Sequence, residues 1–204
     1  MKKKHKNRRK MTARRTAHLY RRYVRPAVPV RLPDVPEQAD MLPIEVYDSE
    51  LAYMFKDMAK HPDIETGWFG FGNVTEDGTP RLLLVDGPGP KANHQPAFFQ
   101  QDIDYMKEAW KKVSPLGMHH ILIGHSHHKM HLPRPSGKDV DSMFTSLDEL
   151  NLEYLILVIG TIEGTSMCLY PYLFKNDHTY CRMEWRRIAG TSPVRKMMEK
   201  WETK

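Results

Sequence analysis

The sequence predicts an α/β sandwich, a mixed β-sheet flanked by helices, and three observations predict it. Helical and strand-like periodicities alternate along the chain. Leu155-Ile156-Leu157-Val158-Ile159 is a short, unbroken, β-branched run of the kind that forms a buried central strand. The chain has 204 residues, 40% of them apolar, which suits one domain with extensions.

The elements follow in order. Asp48 can cap a helix whose Leu51, Met54, Phe55 and Met58 share one face, and His61-Pro62 ends it. Ile64 to Gly72 is strand-like, and Gly67, Gly70 and Gly72 within it suggest close backbone approach or a bulge. Asp77-Gly78 signals a hairpin turn into Arg81–Val85. Gly87-Pro88-Gly89-Pro90 is a loop. Ile103, Met106, Trp110 and Val113 form a second apolar helical face. The apolar run Ile121–Gly124 is a strand that delivers His125. Val140, Met143, Phe144 and Leu147 mark a third helix, and Ser136 stands at its N-cap in a Ser-x-x-Asp start signal. After the central strand, two more strands are expected near Met167–Phe174 and Thr179–Ile188, with Asn176-Asp177 between them. Ser192-Pro193 opens a last helix with Val194, Met197, Met198 and Trp201 on one face, as core or as a docking surface.

Charge divides the chain. Residues 1–25 hold 12 of its 31 Lys and Arg and no acid, so the net +6 becomes about −6 once those twelve are set aside. This basic arm is read as a tail or partner-docking segment, for which an acidic protein, nucleic acid or an anionic membrane would serve. Ala13, Ala17, Tyr20 and Val24 fall near helical spacing within it. An organellar transit peptide has a similar composition. Pro26, Pro29, Pro33, Pro36 and Pro43 mark an extended linker or a surface strand, and the body is expected to begin near Leu42. The expected organisation is therefore arm and linker over 1–41, a domain over 42–190 and a terminal helix over 191–204. No apolar run reaches about eighteen residues, so no transmembrane helix is expected, and without an apolar stretch near residue 1 no secretory signal is expected either. Cys168 and Cys181 are expected to be buried apolar residues in a reducing compartment such as the cytoplasm, with a pairing open only if their strands are neighbours.

The chemistry concentrates in three segments. His125 and His127 lie two apart on extended backbone, so both can face one point. Asp139 arrives from the first turn of the next helix. Two imidazoles and a carboxylate are the ligand types of an open catalytic zinc site. Glu65 is the candidate base. Each has a plainer reading: Ser136 and Asp139 as a helix cap, Glu65 as a solvated carboxylate, and His128 or His131 as rival ligands.

Glu65-Thr66-Gly67, His125-x-His127 and Ser136-x-x-Asp139, in that order, resemble the JAMM motif of JAB/MPN-domain metallopeptidases. Gly87-Pro88-Gly89-Pro90 followed by Phe98-Phe99 and Asp102, with the strand entering the histidines, looks like the prokaryotic JAB branch. The resemblance spans about Leu42 to Ile188. It departs from the family at His128, where proline is common, in the eight residues between His127 and Ser136, where seven are common, and at Trp68, where a second glycine is frequent.

The resemblance implies a deaminase-like sandwich in which His125, His127 and Asp139 hold one Zn²⁺ per chain. Water would take the fourth place, made acidic enough to yield hydroxide near neutral pH. It implies Glu65 as general base and proton carrier to the leaving amine, and Ser136 as a hydrogen-bond donor to the oxyanion. The implied activity is a deubiquitinase-like isopeptidase that cuts after the tail of a ubiquitin-like protein, with activating and conjugating enzymes as partners, anti-phage defence being one setting. Release of an amino acid or small adduct from a sulfur-carrier protein uses the same site. A non-catalytic MPN scaffold is the contrasting class.

Overall fold

The computed structural model describes residues 41–127, 132–163 and 166–202. The arm, with its possible helix, and almost all of the linker lie outside them, as do His128 and His131. In chain order the elements are β1 (Leu42–Tyr47), α1 (Asp48–Lys60), β2 (Gly67–Val74), β3 (Pro80–Asp86), β4 (Asn93–Gln95), β5 (Phe98–Gln100) and α2 (Ile103–Val113). A 3-10 turn over Ser114–Leu116 leads to β6 (His119–Ser126), α3 (Gly137–Leu150), β7 (Tyr154–Glu163), β8 (Ser166–Lys175), β9 (Tyr180–Ile188) and α4 (Pro193–Glu202).

The expected sandwich is not what forms. Among the described residues, seven strands close into a mixed barrel in the order β1-β3-β2-β6-β7-β8-β9, and β4-β5 stands apart as a small hairpin. Closure comes from β1, which runs parallel to β9 from Leu42↔Met183 to Tyr47↔Ile188 and parallel to β3 at Glu45↔Arg81 and Val46↔Leu82. The closing strand begins at Leu42, where the body is expected to start, and takes in Pro43, the last of the prolines that mark an extended linker or a surface strand. Pro43 is tolerated because it lies at the end of β1 that β3 does not reach, where its missing N–H breaks no ladder on that side. Glu45 reinforces the seam, its carboxylate 2.6 Å from Arg81 on β3 and 3.8 Å from Arg186 on β9.

Leu51, Met54 and Met58 of α1 belong to one buried cluster with side chains from all seven barrel strands, including Ile44, Trp68, Leu82, Leu122, Val158, Leu173 and Met183. Met54 and Met58 are fully buried, each worth about 1.5–3 kcal/mol of transfer free energy. Asp48 does not cap this helix. Tyr47 is the N-cap residue, and Asp48 instead accepts Arg187 Nε at 2.9 Å. The opposite faces of β2 and β3 are covered by α2 and α4, and α3 covers β7 and β8.

The pairing register of β2 shifts twice within its glycine-rich part, against β3 between Phe71 and Gly72 and against β6 between Gly70 and Phe71. Gly72 is required there, since a Cβ would collide with the carbonyl oxygen of Arg81. Strands β8 and β9 are neighbours, yet their register sets Cys181 opposite Leu173, and both cysteines are free and half-buried. The last helix is docked on the body. Ser192 Oγ donates to Leu83 O, and Arg195 places Nε 2.8 Å from Oε1 and Nη2 2.5 Å from Oε2 of the fully buried Glu50. The side chain of Trp201 lies outside the described part.

Candidate metal centre

The parallel pairing of β6 with β7 and its antiparallel pairing with β2 build the site. Gly67 pairs with His125 and Trp68 with Gly124. Continuing that register sets Thr66 beside Ser126 and Glu65 beside His127. Ser126 N donates to Thr66 O at 2.9 Å, and Thr66 N donates to Ser126 Oγ at 3.0 Å. On the other side His127 N donates to Gly160 O of β7 at 2.7 Å. A residue more than fifty positions upstream is thus aligned with the histidines by backbone pairing alone.

His125, His127 and Asp139 converge. His125 Nε2 and His127 Nε2 are 2.9 Å apart. Asp139 Oδ1 lies 3.3 Å from the first and Oδ2 3.4 Å from the second. Ligands at zinc's usual bond lengths lie about 3.3 Å apart along a tetrahedral edge, so both carboxylate spacings fit and the imidazole pair is slightly tighter. His127 Nδ1 lies 3.1 Å from Leu132 O, which assigns the ring proton to Nδ1 and leaves the Nε2 lone pair facing the cluster. Lone pairs on two imidazoles and a carboxylate approach this closely only around a positive charge, a proton or a metal ion. The His127 side chain is 1% exposed, while those of His125 and Asp139 are 17% and 16% exposed, so the cluster has a closed floor and a partly open side.

Asp139 is aimed by its own helix start. Ser136 N and Ser136 Oγ donate to Asp139 Oδ2 at 2.8 and 2.6 Å, and Asp139 N donates back to Ser136 Oγ at 3.3 Å. The capping box is present, and the same carboxylate faces the histidines: cap and ligand are one geometry here. Burial by itself would raise the Asp139 pKa, but the two imidazoles and the Ser136 hydroxyl hold it far below the carboxylate range. Burial would lower the pKa of His127, and the Asp139 carboxylate, the Leu132 carbonyl and the Glu65 charge together more than reverse this.

Glu65 is buried rather than solvated, at 5% exposure. That burial raises its carboxyl pKa, and the charges of His125 and His127 pull against the shift. Its main chain carries the β4-β5 hairpin: Glu65 N donates to Gln95 O at 3.0 Å, and His94 Nδ1 lies 2.9 Å from Glu65 O. Phe99 lies where a Cβ on Gly67 would stand, and Lys138 of α3 holds its ammonium 4.8 Å from the Phe98 ring centroid. The hairpin therefore forms a wall beside the cluster. Asp57, His94, Ser126 and the Leu132 carbonyl, all of which support the site, escaped the sequence reading. Three-residue strands have no periodicity, and a single polar residue beside an apolar helical face has no local mark.

No protein family matches the chain, and no curated protein matches it. Among solved structures, the solution structure of a Desulfitobacterium hafniense protein is similar, with a TM-score of 0.56 and 19% identity over 72% of this chain and 94% of that one. The likeness is one of fold. A Salinibacter ruber protein, also a solution structure, has a TM-score of 0.49 and 19% identity over 74% of this chain and 95% of its own.

Proposed function

We propose that the chain is a zinc-dependent hydrolase of JAMM type that cleaves the amide or isopeptide bond following the tail of a ubiquitin-like protein. The observation that carries the reading is the convergence of His125 Nε2, His127 Nε2 and the Asp139 carboxylate within 2.9 to 3.4 Å, next to a buried carboxylate, Glu65. A zinc ion in that cluster would supply Lewis acidity and a nucleophilic water near neutral pH.

Each residue then has a part. Leu132 O fixes the tautomer of His127, and Ser136 fixes the rotamer of Asp139. Glu65 accepts the proton of the attacking water and returns it to the leaving amine, a task suited to a carboxyl whose pKa burial has raised. Ser136 donates to the oxyanion once its hydroxyl turns from Asp139 Oδ2. The ubiquitin-like substrate, the activating and conjugating enzymes as partners and an acidic or nucleic-acid contact for the basic arm rest on the motif resemblance and on charge. A cytoplasmic setting is supported by the two free cysteines. Among the described residues no helix is long and apolar enough to cross a membrane.

The test is zinc analysis of the full chain together with hydrolysis of a ubiquitin-like protein bearing a fluorophore on its C-terminal amide. One zinc per chain and Glu65-dependent release of the fluorophore are expected. A chain that binds no zinc stoichiometrically ends the proposal.

A further inference from the structure

A half-buried polar cluster at the C-terminal end of α1 is not used by the reaction just described. Its centre is Asp57, whose side chain is 15% exposed. Thr66 Oγ1 donates to Asp57 Oδ2 at 2.6 Å, and Trp68 Nε1 donates to the same oxygen at 3.0 Å. His61 Nδ1 lies 3.0 Å from the main-chain carbonyl oxygen of Asp57, its hydrogen-bond partner, and 3.5 Å from Asp57 Oδ1. The His61 ring stacks on His94, with centroids 5.3 Å apart and planes 14° from parallel. His94 in turn reaches the carbonyl of Glu65.

These contacts share one target. Thr66 follows Glu65 directly and is fully buried, so its hydroxyl needs an internal acceptor. Charge-assisted bonds to a carboxylate are about twice as strong as neutral ones. We infer that Asp57 is a positioning residue for Glu65, its carboxylate holding the Glu65 main chain against the metal cluster through Thr66 and Trp68. The inference rests on the reading of Glu65 as the base. A base displaced by about 1 Å loses on the order of a hundredfold in rate. Bracing of this kind comes from groups that never touch the reacting atoms. Trp68, the departure from the family's frequent glycine, is part of the brace, because its indole N–H shares the Asp57 oxygen with Thr66.

The experiment uses the full chain, zinc-loaded, as the parent and as Asp57→Ala, Thr66→Val and Thr66→Ser. Three quantities are read: zinc per chain, the carboxyl carbon-13 resonance of Glu65 (assigned by its loss in Glu65→Gln), and kcat and KM on the fluorophore-tailed ubiquitin-like protein. All variants should keep one zinc. Asp57→Ala and Thr66→Val should split or broaden the Glu65 resonance and lower kcat at least tenfold with KM unchanged, and Thr66→Ser should restore both. A sharp Glu65 resonance at the parent position in Thr66→Val, or a Thr66→Ser variant as impaired as the valine, overturns the inference. Thr66→Val keeps the side-chain shape and decides alone if Asp57→Ala does not fold. If the parent holds no zinc or releases no fluorophore, the hydrolase reading fails. The Glu65 resonance in the same variants still decides the bracing.

Discussion

At the scale of single residues, the cluster separates holding a metal from using it. Two imidazoles without a carboxylate grip zinc poorly, because affinity depends on ligand number and charge. Asp139→Ala should therefore lose stoichiometric zinc, as read by metal analysis after dialysis. Glu65→Ala should keep the metal and lose turnover; a variant that stays active would show that another group takes the proton. His120, outside the cluster, governs a different property. It is 4% exposed, beside Phe71, and burial depresses its pKa to about 4. An unfolded histidine titrates near 6.5. Between these values the unfolded chain takes up a proton that the folded chain refuses, so stability falls as pH falls through this window. The cost from this one group is about 2 kcal/mol by pH 5. Urea unfolding at pH 7.5 and pH 5 should show a smaller pH dependence in His120→Phe than in the parent. Equal pH dependence would mean that the folded protein accommodates the charge.

At the scale of elements, two attachments matter. Helix α4 is tied to α1 and β3 by Glu50 and Arg195. Glu50 also accepts Val85 N at 2.7 Å, and Arg195 also donates to Val85 O at 2.7 Å. Leaving the fully buried Glu50 without its cation exposes an uncompensated charge to a low-dielectric surrounding. Arg195→Ala should destabilise the protein by about 3–5 kcal/mol in denaturant titration; a change below about 1 kcal/mol would mean water reaches the carboxylate. The β4-β5 hairpin is the second attachment. A methyl group at Gly67 overlaps the Phe99 ring, so Gly67→Ala should push the hairpin from Glu65 and reduce kcat. Adding Phe99→Ala should recover part of the loss, and a purely additive double variant would disprove the coupling.

At the scale of the whole molecule, closure distinguishes a barrel from an open sheet. A strand paired on both sides opens only with the barrel, whereas an edge strand frays. Amides of Ile44 and Val46 should exchange with solvent as slowly as those of Ile156 and Val158 in β7. Exchange of β1 well before β7 would show that the β1-β3 contact, two registered pairs long, does not hold.

The sequence by itself determined the local pieces: the apolar faces of α1, α2 and α3, the buried run that became β7, the Ser136–Asp139 cap and the identity of the three candidate ligands. Each is a short-range pattern of period, cap or turn, and needs no distant partner to be legible. Only the tertiary structure decided that the strands close, because β1 and β9 meet from opposite ends of the domain and no local pattern records that pairing. It likewise decided that Glu65 is buried against the histidines, that Asp57 reaches Thr66, and that neighbouring strands leave Cys168 and Cys181 unpaired. Register between distant strands is set by side-chain packing across the whole barrel, and a shift of one residue would turn these groups to the opposite face.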